Sequence, residues 1–147
     1  IIFIKLKRLE YLQIIMKILL VNDDGIHAPD VLAITAASAA LAISDIPLIK
    51  PIGAVRVGQI EGRFVINPTK EEMGKSKLDL VLAGTEDAIL MIEGFCEFLT
   101  EDEVIESIET GHKAIQGICH ALSDWAKKVG KPKQSNYKKL IILLKNA

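Results

Sequence analysis

Apolar positions recur in three different rhythms along this chain. Lys17–Val21 (KILLV) is a short continuous apolar run that ends in Asn22-Asp23-Asp24-Gly25. That pattern predicts a buried strand leading into a polar turn. Residues 31–44 (VLAITAASAALAIS) are apolar nearly all round, relieved only by Thr35, Ser38 and Ser44. Such a helix is expected to be buried, and its small residues let neighbours approach closely. Asp30 is placed to cap its start, and Asp45-Ile46-Pro47 to stop it.

Two strand pairs are expected next. Ala54–Ile60 and Arg63–Ile66 flank Glu61-Gly62, the signature of a hairpin. Asn67-Pro68-Thr69 breaks the chain, and Lys70–Lys77 reads as a charged loop. Leu78–Ala83 and Ala88–Phe95 flank Gly84-Thr85-Glu86-Asp87 as a second pair. Thr100-Glu101-Asp102-Glu103 fits a capping box. Behind it Val104, Ile108, Ile115, Ile118, Leu122, Trp125 and Val129 recur at helical spacing as far as Gly130 and Pro132. The order strand, helix, two hairpins, helix predicts a mixed α/β (α+β) protein.

Composition narrows the function classes. The 147 residues suit one domain with a real core. Half are apolar and a quarter charged, which argues against disorder. Lys and Arg number 18 against 19 Asp and Glu, so the basic excess of a dominant nucleic-acid footprint is missing. Aromatics are only 5%, too few for a base-stacking platform to be the main business. The apolar start, Ile1 to Leu20, is interrupted by Lys5, Lys7, Arg8, Glu10 and Lys17, so no membrane span or signal-peptide core is expected there. Cys96 and Cys119 are too few for a disulfide framework. They read as reduced core residues of a cytoplasmic protein.

Candidate chemistry is sparse. Asp23 and Asp24 stand at the end of a strand, where two carboxylates can hold a hard divalent ion such as Mg²⁺ or Mn²⁺. An ordinary acidic turn is the other reading. His27, His112 and His120 do not share metal-ligand spacing and suit ordinary surface or partly buried roles. Lys127, Lys128, Lys131, Lys133, Lys138 and Lys139 form a basic stretch. It reads as a solvated helix end favoured by the helix dipole, or as an electrostatic contact for phosphate.

Two resemblances rest on these residues. Met16–Pro29, MKILLVNDDGIHAP, resembles the opening of the SurE family of metal-dependent nucleoside monophosphatases. It implies a metal role for Asp23 and Asp24, although the family's later Ser- and Asn-bearing loops have no counterpart here. The second resemblance is longer. DVLAITAASAALAISDIP (30–47), PIGAVRVGQIEGRFVINPT (51–69), SKLDLVLAGTEDAILMIE (76–93) and LTEDEVIESIETGHKAI (99–115) resemble the polynucleotide phosphorylase family. They correspond to the C-terminal half of the first of its two RNase PH-like core domains and the start of the helical segment behind it.

That resemblance implies phosphorolytic degradation of RNA from the 3′ end, with Mg²⁺ or Mn²⁺, by a ring-shaped trimer. It also implies that chemistry belongs to the second core copy, through a run of serines, a D-x5-D pair and a Lys. Carried over to this chain, the serine positions hold Ala28, Pro29 and Asp30. The first Asp falls at Met73, the second at Asp79 and the Lys at Val81. Asp79 is then a vestigial position, and no catalytic residue is expected.

The implied division is an upstream extension or N-terminal helix (1–15), a first strand and acidic loop (16–29), an RNase PH-like half domain (30–99), a helix (100–135) and a tail (136–147). The expected role is a non-catalytic scaffold or RNA-channel copy, inactive alone. A nucleotidase using Asp23 and Asp24, and a non-enzymatic subunit joining full-length phosphorylase, are the alternatives. Half of an α/β domain is expected to leave strand edges unpaired and one face of the first helix uncovered.

Overall fold

Glu61 and Gly62 both take positive φ, 50° and 77°. A two-residue turn of that kind matches the twist of the strands it joins, so the chain folds back on itself as a hairpin. The computed structural model describes residues 29–134. Within them the order is α1 (Pro29–Ile43), β1 (Gly53–Ile60), β2 (Arg63–Ile66), α2 (Lys70–Met73), β3 (Leu78–Gly84), β4 (Ile89–Cys96) and α3 (Glu101–Val129). The strands form one sheet in the order β2-β1-β3-β4, antiparallel throughout. The α+β reading of the sequence is thus the observed class. The Lys17–Val21 strand and the 136–147 tail lie outside the described residues.

The core lies between one face of the sheet and α3. Register pairs Val55 with Leu82 and Val57 with Leu80, so these side chains share a face. Val55, Val57, Leu78, Leu80 and Leu82 pack there with Ile115 and Cys119 of α3. The helix presents Ser107, Gly111, Ile115 and Cys119 to the sheet, four residues apart. Gly111 permits the closest approach. A Cβ there would meet Leu82 Cδ1 at 2.3 Å and Val57 Cγ2 at 3.0 Å.

Several expectations are corrected. The helix α1 is not buried all round. Among residues 31–43 only Ser38 and Ala42 are buried, and Leu32 is 72% exposed. It leans on β1 and α3 by one side, and no described element covers the other. Asp30 lies within the described helix and is not its cap.

Lys70–Lys77 is not simply a loop. Thr69 and Glu72 form a second capping box that starts α2. Cys96 is exposed, because α3 crosses β1 and β3 and leaves the α3-side of β4 open. Cys119 is buried as expected.

The apolar stripe of α3 outruns its support. Twenty-nine residues extend about 43 Å as a helix, while an eight-residue strand reaches about 27 Å. Trp125 and Val129 therefore overhang the sheet, 44% and 56% exposed, instead of completing the core. Beyond the helix, Lys133 is not a solvated charge. Its Nζ donates to the carbonyls of Leu41 (2.8 Å), Ala42 (2.8 Å) and Ser44 (2.6 Å), the free acceptors at the end of α1.

Candidate functional site

The best-defined polar centre lies on the other face of the sheet. Register sets Asp79 opposite Gly58 and Arg56 opposite Val81, so Arg56 and Asp79 are diagonal neighbours on one face. Gly58 has no side chain to fill the space between β1 and the Pro68–Ser76 segment. A Cβ there would meet Ser76 Oγ at 2.9 Å and Pro68 Cγ at 3.1 Å. Arg56 Nε donates to Asp79 Oδ1 at 2.6 Å, and a second guanidinium nitrogen donates to Oδ2. The arginine side chain is 14% exposed and the aspartate 38%. A charge that deep requires a partner, and a fork-to-carboxylate pair satisfies it in a fixed plane.

Asn67 holds the same arginine by its backbone. The Arg56 N–H donates to Asn67 Oδ1 at 2.9 Å, and the Asn67 N–H donates back to the Arg56 carbonyl at 2.7 Å. Asn67 takes a φ of 52°, a left-handed turn that asparagine tolerates better than most residues. Val31 and Leu32 of α1, with Thr35, Arg56 and Asn67, line a cavity of about 270 Å³. The fold thus brings the start of α1 and the Arg56–Asp79 pair to one region.

The sequence-derived positions fall as follows. Asp79 sits on β3 in that pair. Val81 follows on the same face of β3, and Met73 lies in α2. Pro29 and Asp30 lie in α1, whereas Asp23, Asp24, His27 and Ala28 lie outside the described residues. Mg²⁺ or Mn²⁺ does not fit here. Both Asp79 oxygens are taken by a cation, and among the described residues no three His, Cys, Asp or Glu side chains gather to hold a metal.

The histidines serve another loop. His112 Nε2 lies 3.1 Å from the Thr85 carbonyl, Gln116 donates to the Glu86 carbonyl at 2.9 Å, and His120 stands 3.4 Å from the Glu86 carboxylate. Lys50 pairs with Glu86 at 3.3 Å and with Asp87. That pairing holds the ammonium charged, the Asp87 hydrogen bond contributing most. Residues 112, 116 and 120 follow one helical line, which staples the β3–β4 turn to α3.

Sequence reasoning passed over Arg56 and Asn67. A lone charge inside the apolar run of Ala54–Ile60 was the available signal, because a strand covered on both faces admits a charge only with a partner.

Residues 50–114 match the 3′ exoribonuclease family, domain 2. The polyribonucleotide nucleotidyltransferase of Protochlamydia amoebophila is 64% identical over 110 residues, 75% of this chain and 16% of that protein. A probable chloroplastic polyribonucleotide nucleotidyltransferase 1 of Oryza sativa subsp. japonica is 56% identical over 110 residues, 75% of this chain and 12% of that protein. The chain therefore spans about a sixth of the length of the bacterial relative. Among solved structures, rice Rrp46 aligns with a TM-score of 0.60 at 22% identity, covering 68% of this chain and 48% of that one. No described helix is long and apolar enough to cross a membrane. Residues 50–114 thus match domain 2 of the 3′ exoribonuclease family, in a stretch similar to polyribonucleotide nucleotidyltransferase.

Proposed function

We propose that this chain supplies a non-catalytic RNase PH-like scaffold to an RNA-phosphorolysing assembly in the cytoplasm. One observation carries the reading: Arg56 occupies both carboxylate oxygens of Asp79. Asp79 is the one position where the chain keeps the residue that the resemblance gives to the chemistry. A carboxylate held on both oxygens by an internal arginine is fixed in a structural ion pair. Met73 and Val81 offer no oxygen or ammonium to replace it.

The partners of such a scaffold are RNA, reached through the assembled ring, and other RNase PH-like subunits. A trimer is the expected ring. Mg²⁺ or Mn²⁺ would belong to a catalytic copy and not to the Arg56–Asp79 site.

The test is phosphorolysis of poly(A) by the purified chain with inorganic phosphate and Mg²⁺, alone and with full-length polyribonucleotide nucleotidyltransferase. The expected result is no nucleoside diphosphate from the chain alone, and co-elution with the full-length enzyme. Phosphate-dependent release by the chain alone overturns the reading.

A further inference from the structure

The last turn of α1 is capped by a distant stretch of the chain. The five consecutive carbonyls of residues 41–45 each accept a bond from residues 131–134. The Lys133 ammonium takes those of Leu41, Ala42 and Ser44. The Lys131 N–H donates to the Ile43 carbonyl and the Gln134 N–H to the Asp45 carbonyl, both at 2.9 Å. The Gln134 side-chain amide donates to the Asp45 carboxylate as well. A helix end leaves its last carbonyls without helical partners and carries partial negative charge, so an ammonium there answers both needs.

What holds residues 131–134 is polar. All four are exposed, although the Lys133 ammonium sits on its carbonyls. Pro132 and Lys133 line a cavity of about 420 Å³ with Ala42, Leu48, Pro51 and Ala126, so the segment spans open space and does not fill the core. The middle of α1 is fixed separately. Ser38 Oγ accepts from the Ile52 N–H at 2.7 Å, and Thr35 Oγ1 from the Ala54 N–H at 3.2 Å. The core between the sheet and α3, built around Val55, Val57, Leu82 and Ile115, takes no residue from the segment. Segments with exposed hydrogen bonds and little apolar burial open on their own, at less cost than global unfolding.

We infer that residues 131–134 are a latch on the end of α1, pinned by the Lys133 ammonium, and that neutralising this one amine opens it while the core stays closed. The pin is a single group: three bonds end on one nitrogen. A neutral side chain in its place leaves the two backbone bonds and the Gln134–Asp45 contact, and forfeits the attraction between a cation and the helix end. The latch joins α1 to the chain that continues beyond Gln134. A displacement of that chain therefore reaches the last turn of α1 before it reaches the sheet.

The experiment is amide hydrogen exchange, resolved residue by residue, on the full chain and on Lys133→Gln, Lys133→Arg and Lys128→Gln. In Lys133→Gln the Lys131, Gln134 and Ser44 amides are expected to exchange at least ~10-fold faster, the factor that one charge-assisted hydrogen bond supplies. The amides of Val57 and Leu82 are expected to keep their wild-type rates, which also shows that the variant is folded. Lys133→Arg keeps the charge and is expected to hold the latch amides well below the Lys133→Gln rates. Lys128→Gln removes the same charge from the end of α3 and is expected to match the wild type. Unchanged latch amides in Lys133→Gln would overturn the inference. So would Val57 and Leu82 accelerated by the same factor, because the segment would then open only with the whole domain. Equal acceleration in Lys133→Arg or in Lys128→Gln would also overturn it, because the charge at Lys133 would not be the pin.

Discussion

Arg56 reaches diagonally across the β1·β3 pair to take both oxygens of Asp79. The pair is half sheltered, so it lies between an exposed ion pair and a buried one in value. Asp79→Asn is expected to lower stability by about 1–2 kcal/mol in urea unfolding. Arg56→Ala with Asp79→Asn is expected to cost less than the sum of the single changes. A double-mutant cycle reads the difference, and strict additivity would show that the two groups do not act as a unit. Neither variant is expected to gain phosphorolysis.

The cap of α3 makes stability sensitive to acid. Glu103 accepts from the Thr100 N–H at 2.8 Å and the Thr100 hydroxyl at 2.9 Å, and more weakly from Gln59 at 3.4 Å. These bonds hold its carboxyl below the usual glutamate range, the Thr100 backbone contributing most. The folded value is depressed, so the contribution is fully present above the ordinary glutamate range and is lost as pH falls through the folded value. Melting temperature is expected to drop on acidification, and Glu103→Gln to show a smaller drop over the same window. Thr100→Ala is expected to cost about 1 kcal/mol at neutral pH. An unchanged acid response in Glu103→Gln would refute the assignment.

Much of this architecture is legible from local pattern. Glu61-Gly62 announces its hairpin because few residue pairs accept two positive φ values. Thr100 and Glu103 announce α3 because the cap is a contact three residues long. The same T-x-x-E signal stands at Thr69 and Glu72, where the surrounding charges hid it. What local pattern misses is set by distant partners. Cys96 and Trp125 look like core residues, yet both are exposed. Gly111 looks neutral in a helix, yet it decides how closely α3 approaches Leu82. Arg56 and Asp79 are 23 residues apart, and only the β1·β3 register makes them neighbours.

Two glycines of α3 should respond oppositely to alanine. At Gly117 a Cβ meets nothing within 4 Å. Gly117→Ala is expected to stabilise by roughly 0.5–1 kcal/mol through helix propensity alone. At Gly111 the added carbon would lie 2.3 Å from Leu82 Cδ1. Leu82 and Val57 are fully buried and cannot retreat to solvent. Gly111→Ala is expected to lose about 1–3 kcal/mol from overpacking, less the propensity gain. Chemical denaturation of both variants measures this, and a stabilising Gly111→Ala would show that α3 sits farther from the sheet than described.

The two thiols should differ in reactivity by their placement. Cys96 lies on the open edge strand and is exposed. Cys119 is 1% exposed, with its sulfur 3.4 Å from the Pro51 carbonyl and 3.7 Å from that of Gly84. Burial pushes the Cys119 thiol above its ordinary range, which lowers the thiolate fraction available to attack. One equivalent of a thiol reagent is expected to react quickly with the native chain at neutral pH, and the second only at the rate of unfolding. Cys96→Ser is expected to remove the fast phase and leave the slow one. Rapid labelling of Cys119 in that variant would mean that the α3–sheet core opens readily, and would tie the unsupported flanks of α1 and β4 to a loosely held domain.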